Sequence, residues 1–152
     1  MRKLFICLIL FLYISILHAE GVKKISTLCD INNINKMEII YYPSYILTNT
    51  AMNEIQLKDR YVYKVEINSI QENPFHTEIV KMLNINYFKM DNLNDIRWGI
   101  HIVSNSERVC QLYFDSFGSC GSLNGIKVCF EKNHIIKWVS HNIPLFIKYD
   151  AP

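Results

Sequence analysis

The residue pattern predicts an α+β fold, with a single antiparallel β-sheet, one main helix packed on it and a short C-terminal helix. Three observations predict it. Residues 61–68 and 96–102 alternate apolar and polar side chains, the period of a half-buried strand. Phe75, Ile79, Met82 and Leu83 recur at helical spacing instead. Asn124-Gly125 is the pair preferred in a two-residue type I′ hairpin turn, because both positions need positive φ.

The chain opens with Arg2 and Lys3, an uncharged apolar run over residues 4–17, and then His18-Ala19. A short basic start, an apolar core and a small closing residue predict a signal peptide over residues 1–19, cleaved after Ala19. The run is shorter than the about 20 apolar residues a spanning helix needs, so no stable membrane anchor is expected once it is removed. Cys7 lies in this run with no Gly or Ala before it, which argues against lipid attachment. Residues 20–152 are then expected to form a single exported domain, long enough for its own core. The formal charge of the full chain is +2. Arg2 and Lys3 supply that excess, so the remainder is neutral. With no basic run either, nucleic acid is not an expected partner.

Residues 20–36 read as a polar lead-in pinned at Cys29, and 37–42 as a strand. Pro43 interrupts that strand and makes 45–48 a separate or edge strand. Residues 50–58 are ambiguous, since Met52 and Ile55 fit one helical turn that Gln56-Leu57 does not extend. A half-buried strand follows over 61–68. Asn73 and Pro74 suit the cap and first turn of the main helix, and Asn84 suits its end. Residues 85–95 read as an asparagine-rich connection. In the next strand Ile96, Trp98, Ile100 and Ile102 face inward, with Arg97, Gly99 and His101 on the polar side. Residues 104–107 turn the chain into another strand over 109–114. After the hairpin, Asn133 can cap a closing helix through Trp138 and Val139, which Pro144 ends. Residues 145–149 form a last apolar piece.

With Asn124 and Gly125 at the turn, Leu123 faces Ile126, Ser122 faces Lys127, Gly121 faces Val128 and Cys120 faces Cys129. The cysteines form a non-hydrogen-bonded pair about 4.5 Å apart at Cα, near the short end of what a disulfide spans. Four cysteines remain after residue 19, an even number that favours two bridges in an exported chain. If Cys120 pairs with Cys129, Cys29 must pair with Cys110. That bridge would close a long loop and contribute roughly 4 kcal/mol.

No catalytic or metal signature stands out. The histidines beyond the leader, His76, His101, His134 and His141, form no zinc spacing. His134 and His141 share a face if their segment is helical, and with His101 could make a metal set, but exposed or partly packed side chains are the favoured reading. Gly118-Ser119-Cys120-Gly121 lacks the strand-to-helix context of a nucleophile elbow, and the hairpin consumes Cys120. Ser104, Ser106 and Ser119 have no hydrolase motif around them. His76 and Glu78, two apart on a helix, do not face each other. Asp91 and Asp95 lack calcium-loop spacing and read as solvated loop acids. Neither a cofactor nor a metal is expected. Tyr41, Tyr42, Tyr45, Tyr61 and Tyr63 are divided by strand alternation between core and surface, where tyrosine suits a contact face.

These features predict an exported, disulfide-stabilised protein-binding domain, periplasmic or secreted, of the inhibitor or immunity type. The expected partner is another protein, such as a toxin or a hydrolase, and the domain is expected to be a monomer or small homo-oligomer. The expected contact residues are Leu123, Asn124 and Gly125 at the hairpin tip and Ser116, Phe117 and Ser119 in the loop before it. Two alternatives remain: a small secreted hydrolase using His101, His134 or His141, and a surface or assembly subunit that oligomerises through a strand edge.

Overall fold

The structure, a computed structural model, describes residues 22–91 and 95–143. The predicted leader and the piece after Pro144 lie outside these residues. Among the described residues there are eight strands: β1 (Lys23–Lys24), β2 (Ile34–Tyr41), β3 (Tyr63–Ile67), β4 (Asn86–Lys89), β5 (Ile96–Ser104), β6 (Val109–Asp115), β7 (Cys120–Leu123) and β8 (Ile126–Phe130). Three helices accompany them: α1 (Glu54–Arg60), α2 (His76–Leu83) and α3 (Ile135–Asn142). The strands form one sheet in the order β1-β4-β8-β7-β6-β5-β2-β3, and every neighbouring pair is antiparallel. The α+β class and the antiparallel sheet are as the sequence predicts.

The helix arrangement differs from the expected single main helix. The three helices are 7, 8 and 8 residues long and cover both faces of the sheet. On the first face, Ile79 and Leu83 of α2 and Ile135, Trp138 and Val139 of α3 pack with Met37, Ile39, Ile100, Leu112, Phe114 and Phe130. On the second face a smaller core joins Met52 and Leu57 of the α1 segment to Ile40, Ile96 and Tyr113. Helix α1 starts in the stretch 50–58 that sequence left ambiguous and runs two residues past it. A capping box starts it: Asn53 accepts from the Gln56 amide, and the Gln56 side chain accepts from the Asn53 amide, both at 2.9 Å.

Two further segments depart from expectation for physical reasons. Residues 45–48 form an irregular loop rather than a strand, because their backbone is held by a side chain described below. Asn86–Lys89, expected in a connection, is strand β4, because the outer edge of β8 offers it a ladder: Tyr87 pairs with Phe130 and Phe88 with Cys129. Strand β5 also breaks its alternation. Its register against β6 shifts between Ile96 and Trp98, so Ile96 joins the smaller core instead of lying beside Trp98.

The hairpin register is the predicted one, with Cys120 opposite Cys129 and Leu123 opposite Ile126. Disulfides join Cys120 to Cys129 and Cys29 to Cys110, with sequence separations of 9 and 81. In the chain-entropy picture the long loop contributes about 4.5 kcal/mol and the short one about 2.7 kcal/mol. The second bridge staples the buried lead-in residue Cys29 to the central strand β6. Gly121 is fixed by close approach: a Cβ there would lie 1.9 Å from the Tyr113 carbonyl oxygen, so only glycine lets β7 pair with β6 at this point.

Candidate functional site

The loop between β6 and β7, residues 116–119, is held from three sides. Asp115 ends β6 with its carboxylate buried, 6% exposed. One of its oxygens accepts from the Phe117 amide at 3.1 Å and the Ser119 amide at 2.9 Å, and the other from the Cys120 amide at 3.2 Å. The Gly118 amide donates to the Asp115 carbonyl at 3.1 Å, and the Ser119 carbonyl accepts from Phe130 at 2.9 Å. From the far side, Asn133 donates to the Gly118 carbonyl at 2.7 Å. Gly118 takes φ +72°, and a Cβ there would meet Ile136 at 2.9 Å, so glycine is required. The backbone is thus tied down while the Phe117 ring stands in solvent, 85% exposed. Ser119 is also exposed and Ser116 partly so.

The hairpin tip lies at the other end of β7, roughly 13 Å away at the usual strand rise. The two turns therefore do not merge into one patch. Asn124 and Gly125 take φ 49° and 79°, the left-handed pair of a type I′ turn. Asn124 is also tied to β6: its amide donates to the Gln111 carbonyl, and its side-chain oxygen accepts from the Gln111 amide, each at 2.8 Å. Gly125 is exposed, and a side chain there would point into open space. Leu123 is fully buried in the larger core and offers nothing to a partner.

A polar chain crosses the second face of the sheet. Lys64 reaches Glu38 at 2.7 Å, Glu38 meets His101 Nδ1 at 3.0 Å, and His101 Nε2 meets the Tyr113 hydroxyl at 2.7 Å. Burial pushes the His101 pKa below its ordinary value, partly offset by the Glu38 carboxylate. A neutral ring suits both contacts, with Nδ1–H donating to Glu38 and Nε2 accepting the phenol proton. Burial raises the Glu38 carboxyl, but hydrogen bonds from Lys64 and His101 outweigh it and bring its pKa below the usual range. Burial, followed by the Glu54 and Glu38 charges, holds the Tyr113 phenol above its ordinary value. The order carboxylate, imidazole, hydroxyl is that of a nucleophilic relay, yet the hydroxyl is fully buried and its proton is held more tightly than usual. A nucleophile must also be reachable by its substrate, and this hydroxyl is covered. This relay orients a core rather than presenting a reactive atom.

The other two histidines of the candidate metal set lie elsewhere. His134 and His141 belong to the α3 segment on the first face, so the three do not converge, and among the described residues no group of three His, Cys, Asp or Glu could hold a metal.

Sequence reasoning passed over Arg97. Strand alternation places it on the polar side, but it is 5% exposed. Its Nε donates to Asp95 at 2.6 Å, one terminal nitrogen to the Ile46 carbonyl at 3.2 Å, and the other to Thr48 at 3.3 Å. The guanidinium also lies over the Tyr42 ring at 5.4 Å. Asp95, read as a solvated acid, instead accepts from both Arg97 and the Met52 amide. This pin fixes the loop on which Tyr45 and Leu47 stand exposed, Leu47 by 92%. Of the other tyrosines, Tyr41 stacks on Trp98 at 3.9 Å and faces Tyr63 at 6.1 Å.

No known protein family matches the chain, and neither a curated protein nor a solved structure shows significant similarity to it.

Proposed function

We propose that the chain is an exported binding domain whose partner is another protein, of the inhibitor or immunity type, acting in the periplasm or outside the cell. The observation that supports this reading is Phe117, an exposed ring on a loop whose backbone is already fixed by Asp115, Asn133 and Gly118. Aromatic side chains dominate protein interfaces, and a loop ordered before binding avoids the entropic cost of being ordered by it. Ser116 and Ser119 flank the ring as a polar rim. The Asn124-Gly125 tip, at the far end of β7, would be a second and separate contact. Two disulfides suit an oxidising compartment, and the leader read from residues 1–19 supplies the route there.

The experiment is an affinity capture with the oxidised protein and its Phe117→Ala variant, using envelope and secreted fractions of the source organism. The wild type should retain one stoichiometric protein, a toxin or hydrolase. The variant should lose it while keeping its melting temperature, because Phe117 contributes little to the core. Equal retention by both would remove Phe117 from the interface and overturn the reading.

A further inference from the structure

Helices α2 and α3 lie side by side on the first face, with Phe75 edge-on to Trp138 at 5.9 Å. Between them opens a cavity of about 510 Å³, within the range of small-molecule sites. Met82, Ile85 and Trp138 give it apolar walls. Its charged groups are unlike the rest of the molecule. Lys81 comes from α2, Lys137 from α3 and Lys132 from the turn before α3, joined by His134 and His141, with Glu78 the one acid among the described residues. Beyond the leader the chain is neutral, yet here three ammonium groups and one carboxylate surround one apolar space. Among the described residues no ion pair neutralises Lys81, Lys132 or Lys137.

We propose that this cavity binds an amphipathic carboxylate of the fatty-acid class. The carboxylate head sits among Lys81, Lys132 and Lys137, and the aliphatic tail covers Met82, Ile85 and Trp138. A small inorganic anion would leave the apolar walls wet, and a neutral hydrocarbon would leave the cations unanswered, so the two halves of the site together select the class. The site is independent of Phe117 and of any protein partner.

The test is calorimetric titration of the oxidised protein with decanoate, 1-decanol, acetate and inorganic phosphate, all below micelle-forming concentrations. Decanoate should bind saturably at one site, at least tenfold more tightly than each of the other three. The K81E/K137E double variant, altered only at exposed positions, should bind decanoate at least tenfold more weakly with an unchanged melting temperature in its absence. Trp138→Phe, a milder change, should remove most of the fluorescence response while leaving saturable heat. Decanol binding as tightly as decanoate would reduce the cavity to apolar adsorption and overturn the proposal. Phosphate binding as tightly would do the same for the amphiphile, and undiminished binding by K81E/K137E would place decanoate elsewhere.

Discussion

Two loops of this molecule are built on the same device with opposite charge. The loop over residues 43–52 is gathered around the buried cation Arg97, which donates to backbone carbonyls. The loop over residues 116–119 is gathered around the buried anion Asp115, which accepts from backbone amides. Each sets an apolar side chain in solvent, Leu47 on one and Phe117 on the other. They differ in reach. Asp115 holds residues two to five positions ahead of it, whereas Arg97 holds residues about fifty positions behind it. A local pin orders its loop as soon as the turn forms, while a distant pin needs β5 seated against β2 first. The proposed recognition role therefore falls on the 116–119 loop, and Arg97 has a mainly structural task.

The comparison breaks most severely at Gly121, where β7 leaves the Asp115 loop. In Gly121→Ala the new Cβ would collide with the Tyr113 carbonyl and the Phe114 backbone, neither of which can rotate away. Overpacking against backbone should cost about 3 kcal/mol or more, read as a fall in urea midpoint. A loss under about 1 kcal/mol would mean that β7 does not approach β6 so closely. Arg97→Met is next, at about 3 kcal/mol, because it strands carbonyl acceptors and leaves Asp95 without its cation. Its loss should extend to the α1 core, since the Met52 amide is tied to Asp95. A smaller effect, about 2 kcal/mol, is expected for Asp115→Ala, whose three amide donors can partly turn to water. Here the sharper readout is binding: Asp115→Ala should weaken partner capture although Phe117 is intact, and Thr48→Ala, which touches only the Arg97 loop, should not.

This contrast in reach also explains what could be read from the sequence. The hairpin, its register and both bridges were legible because turn chemistry and a period of two are local signals, and because pairing Cys120 with Cys129 leaves Cys29 one choice. Phe117 was legible as an apolar residue in a turn. Asp115 could have been read with it, as an acid followed three residues later by glycine, a common turn opening. Arg97 could not, since strand alternation shows only which face a side chain takes. That face is covered by α1 and the 43–52 loop, and the register shift beside Ile96 directs Arg97 among them. Helix α1 was obscured by brevity, although its Asn53–Gln56 capping box was present in the sequence. Strand β4 owes its existence to the edge of β8, which no local pattern in Asn86–Lys89 announces.

The smallest expected effect separates the polar chain on the second face from both loops. His101 is faced by Glu38 from β2, Tyr113 from β6, Lys64 from β3 and Lys58 from α1. Burial lowers its pKa in the folded protein; Glu38 offsets part of this, and the two lysines add a smaller lowering. As pH falls through the ordinary histidine value of 6.5, the unfolded chain therefore takes up a proton that the folded protein resists, and stability declines. Glu38 acts in a lower window. Its folded pKa lies below the usual 4.5, so its contribution is present above that value and is lost only at more acid pH. Urea midpoints of the wild type and His101→Gln, taken at pH 7.5, 6.5 and 5.5, should differ in slope, with the variant flatter because it has no ring to protonate. Parallel slopes would move the titration to another group. A flatter slope with partner capture unchanged would place the carboxylate–imidazole–phenol chain in the architecture of the sheet, where the fully buried Tyr113 side chain lies.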